Sequence, residues 1–296
     1  MSNANNDGLL HISLLDGQAR AILVNSTEIV QRAKDIHNLS KTAAAALGRT
    51  LSGAAMMGSM LKGSEESLTV SIRGGGPIGT VLAVADAKGS VKGYVDNPSV
   101  DLPRNGAKLP VGAAVGKDGY MTVIKDLRLR EPYVGRVNLV SGEIAEDFAM
   151  YFSSSEQTPS VVSLGVLVSE KEVVSAGGLI VQLMPGAGED AVRSIEGSAE
   201  SFRDISATLK ECRLDGTVDR LLRHLHPEVL EHREVRYACD CSRERVERAL
   251  ITLGKEELED MIRTQHGASV NCHFCNSRYD FSEDELLLLL KAATEK

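Results

Sequence analysis

The sequence predicts an α+β fold made of an N-terminal mixed α/β sheet domain, a helical linker and a small C-terminal domain that carries cysteines. Three observations lead to this prediction. Segments typical of strands and of helices alternate from Leu9 to about Met184. Two narrow amphipathic stripes follow a Pro/Gly-rich break at 185–190. Four of the five cysteines of the chain then fall into two short clusters.

The N-terminal domain, residues 1–184, begins with a predicted hairpin. "LLHISLLDGQARAILVN" indicates two strands around a turn at Asp16 and Gly17. "KTAAAALGRTLSGAAMMGSMLKG" is rich in Ala, Leu and Met and predicts a buried helix whose small residues allow close packing. Three strands follow, the last two joined by a tight turn through Lys88 and Gly89: "SLTVSIRG", "GTVLAVAD" and "VKGYVDN".

The second half of this domain holds a further helix and more strands. "GEIAEDFAMYFSSS" predicts a helix with Ile144, Phe148 and either Met150 or Tyr151 facing the core. "LGVLVSEKEVVSAGGLIVQLM" is typical of strands. A domain of about 180 residues is large enough to bury a sizeable core.

The predicted linker, residues 185–236, has two apolar stripes at helical spacing. Both stripes are narrow and flanked by charge, so such helices need a partner surface to remain folded. The first stripe consists of Val192, Ile195, Phe202, Ile205 and Leu209, and the second of Val218, Leu221, Leu222 and Leu225.

The third predicted unit, residues 237–296, contains two helices, a hairpin and a last helix. Ser242 can cap a helix that ends near Gly254, and "KEELEDMIRTQ" predicts another. "SVNCHFCNSRYDF" predicts a hairpin, after which Ser282 and Glu285 form a capping box. About sixty residues bury too little apolar surface to be stable alone, so a unit of this size needs an additional cross-link such as a metal ion or disulfides.

The four clustered cysteines can supply that cross-link. Cys239 and Cys241 are one residue apart, and Cys272 and Cys275 flank the predicted hairpin turn. Two close pairs of thiolates match the four tetrahedral ligands of structural Zn²⁺, so we expect one zinc ion per chain. Four buried apolar thiols are the competing interpretation. Spacing leaves open whether a zinc centre is a permanent scaffold or an oxidisable switch.

Composition and charge weigh against several classes of function. The net charge is −8, tryptophan is absent and aromatic residues make up 4% of the chain, which disfavours nucleic-acid binding. "MSNANNDG" does not resemble a signal peptide, and the longest apolar run is the five leucines at 286–290. We therefore expect no membrane segment and a cytoplasmic location, where thiols stay reduced.

Other motifs predict structure and no chemistry. Gly74, Gly76 and Gly79 satisfy G-x-G-x-x-G, but the chain continues as a strand, which indicates a strand connection. Acidic residues early in a helix favour its dipole. The remaining side chains considered and set aside as sites are His224 and His226, the acids Glu143, Glu146 and Asp147, the serines 153–155 and the leucines 286–290.

Several segments together resemble heat shock protein 33, the family of bacterial redox-regulated holdase chaperones. The matching text is "GGGPIGTVLAVADAKGSVKGYV", "LVSGEIAEDFAMYFSSSEQTPS", "AGGLIVQLMPG" and the Cys-x-Cys and "CHFCN" clusters. The resemblance extends from about Leu9 to Leu290. It implies a chaperone, inactive when reduced and zinc-bound, that captures unfolding client proteins without ATP after oxidation.

The resemblance also implies roles for individual residues. Cys239 would form a disulfide with Cys241, and Cys272 with Cys275, upon which zinc leaves and the linker unfolds. The active form would be a homodimer. Cys212 lies outside the family pattern and receives no role. The nearby histidines His232, His266 and His273 are not expected to bind the metal.

Two other functions remain open from the sequence. The α+β domain could hold an enzyme site of unknown substrate, with zinc as a scaffold. Alternatively, the zinc unit could be an adaptor that binds one folded partner and depends on retained zinc. A gain of binding to unfolded protein on peroxide treatment favours the chaperone over both.

Overall fold

A computed structural model describes residues 7–103, 106 and 108–294 of the chain. It divides into two compact units, the first ending at Ala238 and the second beginning at Cys239. Among the described residues, no helix combines the length and apolarity needed to cross a bilayer. The predicted linker, residues 185–236, folds within the first unit, and its functional separation from residues 1–184 stays a prediction.

The first unit contains strands and helices in mixed order. They are β1 (Gly8–Leu14), β2 (Ala19–Asn25), α1 (Thr27–His37), α2 (Lys41–Ser59), β3 (Ser67–Arg73), β4 (Thr80–Asp86), β5 (Ser90–Val95), α3 (Val111–Val115), β6 (Tyr120–Asp126), β7 (Tyr133–Asn138), α4 (Ala145–Ser154), β8 (Ser160–Val168), β9 (Val173–Leu183), α5 (Glu189–Ser198), α6 (Ile205–Leu222), β10 (Glu228–Glu234) and β11 (Arg236–Tyr237).

Two sheets form the frame of this unit. Within the part of the chain that the structure describes, one sheet has the strand order β10-β1-β2-β9-β8 and the other β11-β5-β4-β3-β6-β7. The predicted hairpin is confirmed: β1 and β2 pair antiparallel, and both Asp16 and Gly17 have positive φ at the turn. The segment 228–237 contributes an edge strand to each sheet, so it joins the two sheets.

Helix α2 is the buried helix that the sequence predicts, and it packs against strands of both sheets. Its glycines permit this close approach. A Cβ on Gly53 would lie 2.5 Å from the ring of Phe148, and one on Gly48 would lie 2.8 Å from a methyl group of Val166. Contacts below about 3 Å are steric clashes, so larger residues at these positions would force the neighbouring side chains apart.

The outer face of the five-stranded sheet is covered by the predicted linker. Helices α5 and α6 place their stripes on this face and form a second core, separate from the one around α2. The partner surface that the narrow stripes require is therefore the sheet itself. The linker residues buried there are Ile195, Phe202, Ile205, Leu209, Leu214, Val218, Leu221, Leu222 and Leu225.

The second unit has the three helices and the hairpin that the sequence predicts: α7 (Arg243–Leu253), α8 (Lys255–Gln265), the hairpin of β12 (Gly267–Asn271) and β13 (Arg278–Ser282), and α9 (Glu283–Thr294). Ser282 and Glu285 form the expected capping box at the start of α9. The buried apolar core is small and consists of Leu250, Leu258, Phe281 and Leu286. Such a core gives this unit little stability of its own.

Helix α4 shows which of Met150 and Tyr151 faces the core. Ile144, Phe148 and Tyr151 are fully buried, whereas Met150 is 40% exposed. Tyr151 is thus the core residue, because it follows Phe148 by three positions on the same helical face. Its hydroxyl donates a hydrogen bond to Glu156.

Candidate metal centre

The first cysteine pair lies where the chain enters helix α7. Cys239 is the first residue of the second unit, and Cys241 directly precedes Ser242. The Ser242 side chain accepts a hydrogen bond from the Arg245 amide and caps the helix as predicted. The cap fixes the direction in which the chain leaves Cys241, because the Ncap residue is extended while the following residues are helical.

The second pair is held by the turn between β12 and β13. The Cys272 amide donates to the Ser277 carbonyl over 2.9 Å, and the Asn276 amide donates to the Cys272 carbonyl over 2.9 Å. Asn276 has a φ of 56°, a left-handed conformation that asparagine tolerates better than most residues. This turn brings Cys272 and Cys275 to the same side of the hairpin.

The four sulfur atoms converge on one point. All four lie within 4.8 Å of one another. Cys239 Sγ is 3.7 Å from Cys272 Sγ, and Cys241 Sγ is 3.3 Å from Cys275 Sγ. These separations are too long for disulfides, and all five cysteines are free. Four sulfurs at tetrahedral corners around zinc would be about 3.8 Å apart, given Zn–S bonds of about 2.3 Å.

Two side chains support the sulfur atoms from outside the cluster. The Tyr279 hydroxyl donates to Cys241 Sγ over 3.2 Å, and this hydrogen bond raises the pKa of Tyr279 to about 12. Ser277 Oγ lies 3.2 Å from Cys275 Sγ. Tyr279 is on β13, the strand that follows the second pair, and Ser277 directly precedes that strand. The sequence analysis missed them, although their position directly after a Cys-x-x-Cys turn is where supporting hydrogen bonds to ligands are expected.

The protonation of the cluster indicates what it can bind. Burial raises the pKa of Cys239 and of Cys241. Burial acts in the same direction on Cys275, but hydrogen bonds with Ser277 outweigh it and lower the pKa of Cys275 to about 7. Two of the thiols therefore resist deprotonation unless a positive charge compensates for burial. A divalent ion with affinity for thiolate supplies that charge, so the donor set fits zinc.

Within the described ranges, the group of potential metal ligands at this point contains cysteines alone. His266 lies in the same unit but pairs with Glu283, its Nδ1 being 3.0 Å from the carboxylate. Neither His266 nor His273 belongs to the group. A four-sulfur site without histidine is the arrangement that the cysteine spacing predicts.

The motifs set aside in the sequence have structural partners. The glycine-rich segment 74–79 connects β3 and β4, and Gly75 and Gly79 have positive φ. The Glu143 carboxylate pairs with Arg49 over 2.7 Å. Asp147 accepts hydrogen bonds from the amides that precede α4. None of these groups belongs to the cysteine cluster.

Comparison with known proteins agrees with the resemblance seen in the sequence. The family profile described as Hsp33 protein matches residues 7–282. A 33 kDa chaperonin from Clostridioides difficile is 49% identical over 96% of this chain and 99% of its own length. One from Acetivibrio thermocellus is 47% identical over 96% and 97%.

A solved structure extends the similarity to three dimensions. The crystal structure of a 33 kDa chaperonin (heat shock protein 33 homolog) from Thermotoga maritima has a TM-score of 0.89 and 40% identity, covering 98% of this chain and 100% of that one. The match includes both the sheet frame and the unit with the cysteines. The chain described here belongs to the Hsp33 family.

Proposed function

We propose that this protein is a redox-regulated, ATP-independent chaperone that is inactive when reduced and zinc-bound. The observation that carries this proposal is a cluster of four free thiols in a unit with only four buried apolar side chains, among the described residues. Membership of the Hsp33 family supports the chaperone class, and the relatives are named chaperonins.

In the reduced state the four cysteines would hold one zinc ion. Zinc, when bound, supplies a cross-link between the segment before α7 and the β12–β13 turn. Tyr279 orients the Cys241 sulfur, and Ser277 orients the Cys275 sulfur. Structural zinc sites stabilise small units by on the order of 10 kcal/mol, which is comparable to the stability of a whole domain. The order of this unit would therefore depend on four reduced thiols.

Oxidation converts each pair of thiols into a disulfide. In each pair one S–S bond forms as two electrons leave two thiolate sulfurs, and one hydrogen peroxide molecule takes up these electrons and two protons from solvent to become two water molecules. We propose the pairs Cys239–Cys241 and Cys272–Cys275. Two equivalents of peroxide per chain leave no thiolate to hold a metal ion.

These disulfides replace the metal poorly as a constraint. Each closes a loop of a few residues, and the stabilisation from a cross-link falls as the closed loop becomes shorter. Each bond also joins two cysteines of the same segment, so neither disulfide links the segment before α7 to the hairpin. The second unit should therefore lose its fold on oxidation.

Unfolding of the second unit would be followed by exposure of apolar surface on the first. The candidates are the stripes of α5 and α6 and the sheet face that they cover. Unfolding client proteins would bind there through apolar contacts, and the active form would be a homodimer. A reducing cytoplasm is the compartment in which such a sensor rests in its metal-bound state.

An aggregation assay tests the proposal directly. Reduced and peroxide-treated protein are added to a heat-denatured client, and light scattering is followed without ATP. We expect suppression by the oxidised protein alone, and suppression should be lost again after treatment with a thiol reductant. Equal activity of both forms, or none in either, would contradict redox regulation.

A further inference from the structure

The edge strand β10 differs from the strand that it covers. Its side chains are almost all exposed, including Val229 at 50% and Leu230 at 63%. The neighbouring strand β1 is buried on both faces, with Leu9 and Leu10 at 1% exposure or less. The order of the sheet therefore places a polar strand at the edge, next to one of its most apolar strands.

The attachment of β10 rests mainly on the backbone. It pairs antiparallel with β1 from Gly8↔Glu234 to Ser13↔Glu228, and the register is interrupted by a bulge between His11 and Ile12. The Arg233 side chain adds a hydrogen bond, which it donates to the Ser59 carbonyl. Strands with exposed hydrogen bonds and few buried apolar contacts are the first to open locally.

The chain after β10 is anchored to the first unit up to the residue before Cys239. Val235 is buried at 1% exposure, and the Tyr237 hydroxyl donates to the Gly93 carbonyl over 3.0 Å. The last backbone anchor, from the Ala238 amide to the Val91 carbonyl, lies one residue before Cys239. Loss of order that begins at the cysteines therefore meets this anchor first.

The residues of β10 are poorly matched to the face beneath α5 and α6. His232 lies opposite Leu10, and Glu234 lies opposite Gly8. Directly paired residues share a face of the sheet, so β10 places the polar His232 beside Leu10, whose side chain belongs to the core under the linker helices. Val229 lies beside Ile12, but its side chain stays 50% exposed. A strand with apolar residues at alternate positions would bury more surface there than β10 does.

We propose that β10 is an internal cover strand for a client-binding edge, and that the oxidised protein captures extended client segments by strand addition to β1. The inference rests on the proposed chaperone function. Charged edge strands protect natural sheets from pairing with other chains, and strand addition binds an extended segment through its backbone without requiring one sequence. The favoured segment has apolar residues at alternate positions.

Residue-resolved hydrogen exchange on the full chain tests this proposal. Amides of 8–13 that point to β10 and those that point to β2 alternate along β1, so the second set is an internal control. The states compared are reduced protein, oxidised protein, and oxidised protein with reduced, carboxymethylated α-lactalbumin as the unfolded probe. We expect the β10-facing amides to lose protection on oxidation and to regain it with the probe, while the β2-facing amides stay protected.

A variant with a stronger cover strand provides a second readout. His232→Val places a β-branched side chain opposite Leu10, and Asn138→Val is the matched control on β7, an exposed edge strand of the other sheet. Because β10 and the client compete for one edge, we expect the oxidised His232→Val protein to bind the probe roughly fivefold more weakly. The control should bind like the parent protein.

The outcomes separate this inference from the proposed function. Failure of the oxidised parent protein to capture the probe contradicts both. Strand addition alone is contradicted if the probe is captured while the β10-facing amides stay protected on oxidation. It is also contradicted if these amides stay exposed when the probe binds, or if His232→Val binds the probe as the parent protein does. Protection regained without the probe, at twice the molecular mass, would assign the edge to a second copy of the chain and overturn the proposal.

Discussion

The four sulfur atoms are close enough to pair in more than one way. The 3.3 and 3.7 Å contacts join sulfurs of different clusters, whereas the proposed disulfides join sulfurs within a cluster. All four atoms lie within 4.8 Å, so modest rearrangement reaches any pairing. Pairing within a cluster needs only local motion of the chain, which remains possible when the rest of the unit unfolds.

Tryptic digestion can distinguish the pairings. Cleavage after arginine gives one peptide, 237–243, with Cys239 and Cys241 and another, 264–278, with Cys272 and Cys275. We expect each peptide from oxidised protein to be two hydrogens lighter and unlinked in nonreducing mass spectrometry. A species that contains both peptides joined would show that the disulfides cross between the clusters.

Zinc content is the second test at the residue scale. We expect reduced protein to contain one zinc per chain, and Cys272→Ser to lose most of it, because three thiolates leave the tetrahedral shell incomplete. Metal analysis and X-ray absorption measure both quantities. A nitrogen ligand in the absorption spectrum would contradict the all-sulfur site.

Cys212 provides the matched control for these cysteines. It lies on α6, and its sulfur is 3.6 Å from Arg220 Nη1. No other cysteine belongs to the first unit, which ends at Ala238. We therefore expect Cys212→Ser to retain its zinc and its activation by peroxide. Loss of activation in the aggregation assay would require a disulfide that includes Cys212.

At the scale of elements, a buried carboxyl group from the residue before β1 accepts hydrogen bonds from the first turn of α1. Asp7 is 4% exposed and accepts hydrogen bonds from the Glu28 and Ile29 amides, at 3.0 and 2.7 Å. Burial outweighs these hydrogen bonds and raises the pKa of Asp7 to about 7. The folded state thus holds this proton at pH values where the unfolded chain, near its ordinary value of about 3.9, has released it.

The sign of the pH dependence follows from this difference. Between about pH 4 and pH 7 the folded state binds more protons at Asp7, so its contribution to stability falls as pH rises. We expect the free energy of unfolding of the parent protein, relative to Asp7→Asn, to increase from pH 8 to pH 5 by up to ~1 kcal/mol per pH unit. Denaturant unfolding of the core transition measures it. A difference that is constant with pH would contradict a raised pKa.

Elements with a clear local pattern could be predicted from the sequence. Helices α2, α7 and α8 have caps or continuous apolar periodicity, and the β1–β2 hairpin has a recognisable turn. Strand β10 could not be predicted, because its sequence "EVLEHRE" is mostly charged and its order comes from pairing with β1, far away in the chain. Strands β6 and β7 likewise have no counterpart among the elements predicted from the sequence.

The candidate site likewise has residues that local sequence predicts and residues that depend on tertiary structure. Cys spacing predicted the four sulfurs because short turns determine their positions locally. Tyr279 reaches Cys241 only after β13 pairs with β12, so its role depends on tertiary structure. The packing of α5 and α6 on the sheet also required knowledge of the sheet, although the sequence indicated that they needed a partner.

At the scale of the molecule, burial predicts the order in which parts unfold. The linker buries nine large apolar side chains on the sheet, as described above, and each contributes about 1.5–3 kcal/mol. The second unit has four such side chains among its described residues. Loss of the metal therefore removes most of the stability of the second unit but leaves α5 and α6 with their own core.

We expect oxidation to act in two stages. Amides of 239–294 should lose protection from hydrogen exchange at low temperature, and those of 189–222 only on warming, while α2 and the centre of both sheets stay protected. Hydrogen exchange of the oxidised protein at two temperatures measures this. Equal protection of 189–294 in both redox states, after full metal release, would contradict the order-to-disorder mechanism.

The position of the strands along the chain affects how fast the oxidised protein refolds after reduction. In the first unit, β2 pairs with β9, so residues near 20 contact residues beyond 170. In the second unit the contacts of all the elements fall within about sixty residues. Folding rates decrease as the sequence separation of contacts grows. A molecule that keeps the β2–β9 pairing while its second unit disorders can refold quickly on reduction, because the slow, long-range folding around these strands does not have to be repeated.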